Sequence, residues 1–519
     1  MLIGDLVTGN ARRSPERTAL VFEDARPSWA ELDRRTNRVA QALVKLGVRP
    51  GDRVAYVVDN SIELVELYFG IAKSGAISAG ILPRSVGREI AYIVDDLGAK
   101  VLVVGAEAVP AVKEIQGQLK SVEAIIGVGT DAFLSYERLL SQASPDYPAL
   151  RIDPDDVFAV KYTTGTTGFP KGCMRTHRGY LTNVLVYLAK VPHLPSDIAA
   201  ISVPLSAGLG IHMLTTHVAA GIPTVLRPRF DPADLFETIA RERASITFGI
   251  LSLFDRLVEH PDLPNADLSS LRIFTGTSAT GDSRPGMMRI KANPTFKGGF
   301  SNSYGSTETG GYVTFMLPHE TEAALLNPTK PDRMSSLGTE APLFRVSAVD
   351  EDMREVPVGE FGEMAVRGPS LTTGYWNRPE ETAKAFRDGW LVTGDLIRKD
   401  AEGYIWLSGR KRDMIKTGGV NVYPAEIEAV LGEHAKIDQI AVIGIPDKKW
   451  GEKVVACVVS RHGCTEEEVL TLASTSLAGF KKPKNVLFFE SLPTNEVGKV
   501  VKKDLPAMVA KRLGTEGTQ

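Results

Sequence analysis

Apolar positions along the first part of this chain repeat at helical spacing in some stretches and as compact β-rich runs in others, and the two kinds of stretch alternate. Ser28-Trp29-Ala30-Glu31 has the form of a capping box, in which the side chains at a helix start satisfy each other's backbone donors. Leu32, Val39 and Leu43 follow on one helical face, and Gly47 stops the run. Val54–Val58 reads as a strand, Ile62 to about Lys73 as a helix and Val101–Val104 as a buried strand. The texture continues through strands at Ile201–Val203, Thr224–Leu226 and Leu271–Phe274. Strands alternating with helices predict an α/β architecture around a largely parallel sheet.

From about Gly338 the pattern changes. Short strand-like segments separated by Gly, Pro and Asp turns, as in VPVGEFGEMAVRG and KDAEGYIWLSG, predict an antiparallel β unit. After Asp413 a smaller unit begins. Pro424 suits the first helical position before Glu426–Leu431, with Gly432 as the stop. Two strand-like runs follow at Ile440–Ile445 and Val454–Val459. Thr465-Glu466-Glu467-Glu468 is a second capping box, opening a helix toward Leu477, and Val486–Phe489 is a last strand. The expected architecture is a large N-terminal domain of α/β sheets plus a β unit, with a small α+β C-terminal domain of about a hundred residues.

Composition narrows the function without naming it. With 519 residues, 43% hydrophobic and 24% charged, the chain is long enough for several cores and has an ordinary globular balance. A net charge of −3 with no basic run argues against a nucleic-acid binder. The cysteines Cys173, Cys457 and Cys464 are odd in number and have no CxxC spacing, which predicts free thiols in a reducing cytoplasm rather than disulfides or zinc. The N-terminal MLIGDLVTGNARRSPER is broken by charge too early for a signal peptide, and no apolar run is long enough for a membrane span.

The sharpest chemical signal is Tyr162-Thr163-Thr164-Gly165-Thr166-Thr167-Gly168-Phe169-Pro170-Lys171-Gly172. A strand-like run, Val157–Tyr162, feeds it, and Leu181, Val184, Leu185 and Leu188 then fall at helical spacing. Gly165, Gly168 and Gly172 let backbone approach a ligand closely, the threonines crowd donors together and Lys171 adds positive charge. Such a loop suits the oxygens of a polyphosphate. It is not a Walker A loop, because Pro170 stands where that pattern needs glycine. A Gly/Thr turn with no ligand is the plainer alternative.

On these residues the chain resembles the adenylate-forming superfamily: acyl-CoA synthetases, adenylation domains of peptide synthetases, and luciferases. Their phosphate loop ends in Pro-Lys-Gly, as at 163–172 here. Tyr304-Gly305-Ser306-Thr307-Glu308 is similar to the family's Tyr-Gly-x-Thr-Glu, and Thr393-Gly394-Asp395 to its Thr-Gly-Asp. Gly409–Asp413 and Gly419–Glu428 resemble its hinge and the loop after it, and Asn495–Lys499 its C-terminal Gly-Lys segment. The motifs stand in the family's order and cover the chain from about 160 to 500.

The resemblance implies roles. Thr163, Thr164, Gly165, Thr166, Thr167, Gly168 and Lys171 hold the ATP phosphates, with Thr307 donating to phosphate. Glu308, with Thr166, binds Mg²⁺, a hard cation that prefers carboxylate and hydroxyl oxygen. Tyr304 stacks on adenine, and the stretch 276–279, which includes Gly276 and Ser278, lies along adenine and the acyl group. Asp395 accepts from both ribose hydroxyls, and Arg410 reaches the ribose or a phosphate. Lys499 offsets the repulsion between the attacking carboxylate and the α-phosphate. Arg412 is the hinge between domains at 1–410 and 413–519. One orientation of the mobile small domain brings Lys499 in for adenylation. The other brings in Lys416, Gly418 and Gly419, whose backbone lets a pantetheine arm pass. His177 reads as structural.

The acyl pocket is expected around Ser206, Ala207, Gly208, Ser278 and Ser303. Pro204–Gly210 carries no acid, which argues against amino acid activation, and lacks the Phe-His of many aryl-CoA ligases and luciferases. Ser303 stands where the family often has glycine. A pocket otherwise apolar and rich in small residues points to a hydrophobic acid, medium-chain or aromatic. The reading implied is an ATP- and Mg²⁺-dependent acyl-CoA synthetase using coenzyme A. The alternatives are delivery to a carrier-protein thiol or another acceptor, and a non-catalytic nucleotide-binding scaffold. A homodimer is the base-rate expectation for assembly.

Overall fold

The computed structural model describes residues 1–163, 170–206, 208–277, 284–326, 331–417, 420–447, 450–460, 462–494 and 500–513. Its first helix of the alternating region, Trp29–Lys45, starts where the capping box places it. Glu31 N–H donates to Ser28 Oγ at 3.3 Å, and Ser28 N–H to the Glu31 carboxylate at 2.7 Å. The next helix, Ile62–Ser74, ends at Gly75, whose φ of +74° is a left-handed cap that glycine adopts without strain.

Two large sheets carry the N-terminal domain. The eight-stranded sheet runs, in spatial order, Leu20–Val21, Thr224–Leu226, Ala199–Ile201, Ile246–Ile250, Ile273–Thr277, Gly299–Ser306, Gly311–Met316 and Thr339–Glu340. Its first six strands are parallel and its last two antiparallel. The seven-stranded sheet centres on Arg53–Val57 and ends on the antiparallel pair Val157–Thr163 and Lys171–Thr176. Parallel strands need helices on their faces. Trp29, Tyr68, Phe69, Tyr187 and Leu214 accordingly belong to one buried cluster with strand residues of both sheets. Each such side chain taken from water contributes roughly 1.5–3 kcal/mol.

The region after Gly338 is antiparallel as expected, with Arg345–Val349, Phe361–Arg367, Trp390–Lys399 and Ile405–Arg410 paired in turn. The small domain pairs Gln439–Asp447 with Gly451–Val459, and lays Asn485–Phe488 parallel to the latter. Thr465 caps its helix Glu466–Ser476 reciprocally with Glu468. The three cysteines are buried and free. Among the described residues no helix is long and apolar enough to cross a membrane.

Four local expectations shift. The strand read at Ile201–Val203 lies at Ala199–Ile201, because the chain leaves the sheet ahead of Pro204. The strand read at Leu271–Phe274 lies at Ile273–Thr277, in register with Ile246–Ile250. Gly432 is the last residue of its helix rather than the stop beyond it. The phosphate loop does not pass directly into a helix. A strand, Lys171–Thr176, intervenes and makes the loop the tip of a hairpin, and the helix His177–Lys190 follows.

One buried charge is fully accounted for. Lys73, with no exposed surface, donates to Asp33 at 2.7 Å, to Thr36 at 2.8 Å and to Asn37 at 2.7 Å. Three acceptors match the three donors of an ammonium, which is how a lysine is tolerated in a core.

Candidate active site

The base of the phosphate hairpin is anchored on three sides. Thr163 lies opposite Lys171 in the strand pair. Tyr162 donates to Asp96 at 2.9 Å, and Tyr92 donates to the Pro170 carbonyl at 3.0 Å. Gly172 is required by packing, since a Cβ there would lie 2.4 Å from Val160. Lys171 forms an ion pair with Glu381 and lies 5.3 Å from the centre of the Tyr375 ring. Thr164, Gly165, Thr166, Thr167 and Gly168 fall outside the described residues.

The strand Gly299–Ser306 delivers the next group. It carries a bulge at Tyr304/Gly305. Beyond it a tight turn is tied by Ser306 N–H to Thr309 Oγ1 at 2.7 Å and by Thr309 N–H to Ser306 Oγ at 3.1 Å. The turn holds Thr307 and Glu308 half-exposed. Glu308 Oε1 accepts from the Tyr375 hydroxyl at 3.2 Å, and its backbone carbonyl accepts from Thr372 N–H at 2.8 Å. A half-exposed carboxylate on a fixed turn fits a Mg²⁺ ligand, with coordination sites left for phosphate and water.

Asp395 is the best-defined member. It is 3% exposed, and it lies opposite Arg410 in the antiparallel pair of strands Trp390–Lys399 and Ile405–Arg410. Arg410 Nε meets its Oδ1 at 2.7 Å, and the Tyr304 hydroxyl donates to its Oδ2. Gly394, with φ +76°, precedes it within that strand, where the pairing with Phe361–Arg367 shifts register. Burial and the adjacent Asp395 carboxylate push the Tyr304 phenol well above its ordinary range, so it stays a donor. Sequence reading assigned Tyr304 an aromatic face; the hydroxyl that fixes Asp395 is an additional function. Gly276 lies on the strand Ile273–Thr277, and a Cβ added there would meet nothing within 4 Å among the described residues. The same holds at Gly208, which opens the helix Gly208–Ala220.

The pocket residues divide. Ser206 and Ser303 are buried, and among the described residues neither Oγ closes a well-formed hydrogen bond, though Tyr312 faces Ser303. Ala207 and Ser278 lie outside the described residues. His177 is structural: its Nδ1 accepts from Ile3 N–H at 3.2 Å, and it stacks on Phe158 at 5.0 Å. Burial holds it at about 4, hence neutral.

Arg412 sits in the single turn Lys411–Asp413 that joins the β unit to the small domain. Its neighbour Lys411 bridges back to Glu363 at 3.0 Å, and Tyr423 of the small domain packs on Phe361, ring centres 5.0 Å apart. Lys416 is exposed, its N–H donating to Glu452 at 2.6 Å. Gly418, Gly419 and Lys499 lie outside the described residues, though the flanks of the last, Thr494 and Val500, bridge each other.

Sequence reading missed Tyr375 and Glu381, which meet the site only through folding. It also missed Lys161, although a lysine inside the buried run Val157–Tyr162 was itself a signal. Among the described residues the metal-ligating trio His434, Cys464 and Glu468 lies in the small domain. Glu468 there serves Lys436 at 2.6 Å and the Thr465 cap, so the trio has a structural explanation.

Residues 7–376 match the AMP-binding enzyme family, and residues 426–499 match the AMP-binding enzyme C-terminal domain. An indoleacetate–CoA ligase of Aromatoleum aromaticum is 32% identical over 524 residues, covering 100% of both chains. A long-chain-fatty-acid–CoA ligase of Mycobacterium tuberculosis, FadD13, is 32% identical, covering 96% of this chain and 97% of its own. The crystal structure of the anthranilate CoA ligase AuaEII in complex with anthranoyl-AMP superposes with a TM-score of 0.89 at 26% identity, covering 99% and 98% of the two chains.

Proposed function

Because this chain belongs to the AMP-binding enzyme family, and an indoleacetate–CoA ligase and a long-chain-fatty-acid–CoA ligase match it over nearly the full length, we propose that it is an ATP-dependent acid–thiol ligase working in two half-reactions. In the first, a carboxylate attacks the α-phosphate of ATP, and acyl-adenylate forms as pyrophosphate leaves. In the second, the thiol of coenzyme A attacks the acyl carbon, and AMP leaves. Neither step needs a protein nucleophile, only positioning and charge compensation. The single observation that carries the reading is the buried Asp395, held in place by Tyr304 and Arg410.

Asp395 and Arg410 hold the ribose, Tyr304 offers its ring to adenine, and Lys171 with the 163–168 loop and Thr307 cradles the phosphates. Lys171 must exchange Glu381 for phosphate when ATP arrives. Glu308 and Thr166 hold Mg²⁺, which offsets the charge of the polyphosphate. Lys499 compensates the charge in the first transition state. Arg412 is the pivot between domains at 1–410 and 413–519, and rotation about it exchanges Lys499 for Lys416, Gly418 and Gly419. The acid has an apolar or aromatic body. The cytoplasm as compartment and a homodimer as assembly belong to the same proposal.

The decisive measurement is pyrophosphate release with Mg·ATP and a panel of carboxylic acids, with and without coenzyme A. Release that depends on one acid class and on coenzyme A supports the ligase. Release indifferent to coenzyme A assigns another acceptor, a carrier-protein thiol first. ATP binding with no release for any acid overturns the ligase reading in favour of a scaffold. Lys499→Ala is expected to slow adenylate formation about a hundred- to thousand-fold, by analogy with removal of one oxyanion donor. It is expected to spare thioester formation from supplied acyl-adenylate. Equal collapse of both half-reactions removes Lys499 from the proposed role.

A further inference from the structure

The strand Val157–Thr163 is apolar up to Lys161, in the middle of a buried stretch. In its antiparallel pair Lys161 opposes Cys173 and Ala159 opposes Arg175, which puts Lys161 and Arg175 on one face. Each is only 6% exposed. Lys161 Nζ has no hydrogen-bond partner among the described residues and lies 5.7 Å from the Tyr68 ring centre. Arg175 Nε is also unpartnered, and its Nη1 makes one long bond, 3.4 Å, to the Ser370 carbonyl. The carboxylate that acts on Arg175 is Glu308, already committed to the metal; the charge that acts on Lys161 is Arg175 itself. Burial, then the neighbouring guanidinium, push Lys161 down to about 7. Two buried basic groups side by side, with no carboxylate in hydrogen-bond contact among the described residues, cost stability that a folded chain has no structural reason to bear.

The surroundings are polar as far as the acyl-pocket residues. Arg175 Nη1 backs onto Gly310, where a Cβ would lie 2.7 Å away. A Cβ on Gly311 would lie 3.0 Å from the His212 ring. His212 packs edge-on against Tyr180 and Tyr312, at 5.4 and 5.3 Å, and neither of its nitrogens has a partner. Tyr312 faces Ser303, and Tyr68 and Tyr180 face each other and Thr215, but among the described residues none of the hydroxyls of Ser303, Tyr312, Tyr68 and Tyr180 closes a well-formed hydrogen bond. Buried polar groups in folded proteins are nearly always paired. A contiguous set of poorly paired ones, ending on Lys161 and Arg175, has the character of a lining whose better partners arrive with a ligand.

We propose that Lys161 and Arg175 form an anion-binding wall of the acyl pocket, and that the acid this enzyme activates carries a second carboxylate besides the one that is adenylated. Lys161 Nζ and Arg175 Nε donate to that carboxylate, while Tyr180, Tyr312 and His212 flank the body of the acid. The inference rests on the acid–thiol ligase reading above.

The test uses the full-length protein, Lys161→Met and Arg175→Met. Matched acids are compared: straight-chain dicarboxylic acids against methyl-ended acids of equal length, and benzenedicarboxylates against benzoate. Two readouts run in parallel, thermal midpoint with acid alone and pyrophosphate release with Mg·ATP and coenzyme A. Charge-assisted hydrogen bonds predict a preference for the best diacid of roughly ten- to a hundred-fold in kcat/KM over its methyl-ended twin. Lys161→Met is expected to abolish that preference, leave the KM for ATP unchanged and raise the ligand-free midpoint by about 2 °C, because an unpaired buried charge is gone. A preference for methyl-ended acids that neither variant moves overturns the inference while the ligase stands. So does a variant effect confined to ATP, or a lowered ligand-free midpoint, which assigns Lys161 to the nucleotide or to the core. Diacids that raise the midpoint of the wild type but not of Lys161→Met, with no pyrophosphate from any acid, leave the anion site standing and overturn the ligase. No midpoint shift and no release with any diacid overturns the inference.

Discussion

Lys73 and Lys161 are both buried, at 0% and 6% exposure, and their surroundings are opposite. Lys73 has an acceptor for each of its donors, one of them the carboxylate of Asp33. Lys161 faces an aromatic ring and another cation. The first arrangement locks the helices Trp29–Lys45 and Ile62–Ser74 together. The second costs stability and gives the fold nothing in return. A buried charge with its partners present belongs to the architecture, whereas one without them belongs to what the architecture is for. Asp395 lies between the two cases: Tyr304 and Arg410 hold it in place, yet the role proposed for it is to hold the ribose.

The largest effect that tests this contrast is the loss of Lys73. Lys73→Met leaves Asp33, Thr36 and Asn37 without their common donor and should destabilise the protein by about 3–5 kcal/mol. Urea unfolding measures it. Lys73→Met with Asp33→Leu removes both charges and should recover part of the loss. If Lys73→Met proves as harmless as Lys161→Met, hydrogen-bond completeness does not separate structural from ligand-directed charge in this molecule.

The motifs that name the chemistry were legible because each is local. Thr163–Lys171, Tyr304–Glu308 and Thr393–Asp395 each pack their donors and acceptors within a few residues, and the two capping boxes sit where their spacing put them. The parallel sheet followed from alternation, and the antiparallel unit from turn chemistry. What sequence did not carry is convergence. Tyr375 reaches Glu308 from 67 residues away, and Tyr304 reaches Asp395 from 91. The strand Lys171–Thr176 was unreadable because its polar start, Lys171-Gly172, belongs to the phosphate motif, and its edge position follows from tertiary pairing. Which polar groups stand near the expected acyl pocket was not legible for the same reason. Ser303 meets Tyr312, and Tyr312 meets His212, from strands and a helix distant in sequence.

The second test carries the contrast to histidine. His177 has a partner in Ile3 N–H, whereas His212 has none, but burial lowers both, to about 4 and about 3. A histidine whose folded pKa lies below the unfolded 6.5 stays neutral in the native state while the unfolded chain takes up a proton. Its stabilising contribution is complete above about 6.5 and is lost as pH falls through the window down to about 4 for His177. Asp5 and Asp156 face it and oppose the lowering, but burial prevails. Across that window the loss amounts to about 3 kcal/mol. His177→Asn, which keeps an acceptor for Ile3 N–H, should flatten the fall in unfolding free energy between pH 7 and 5. An unchanged slope assigns the acid lability to other groups, His212 first.

The smallest effect is the most discriminating, because it supplies Lys161 with what Lys73 already has. Cys173 lies directly opposite Lys161 in the strand pair, on the same face, and is fully buried. Cys173→Asp places a carboxylate within reach of Lys161 Nζ. Desolvating the new charge offsets most of its Coulombic gain, so stability should move by less than about 1 kcal/mol in either direction. The functional consequence is much larger. With its own anion in place, Lys161 no longer calls for one from the substrate, and a diacid meets repulsion where it met attraction. The preference for dicarboxylic over methyl-ended acids should therefore vanish or invert, while turnover of the methyl-ended acid persists. If the preference survives an internal partner for Lys161, the two cations are not the wall that reads the acid, and Lys161 is a buried charge with no assigned function.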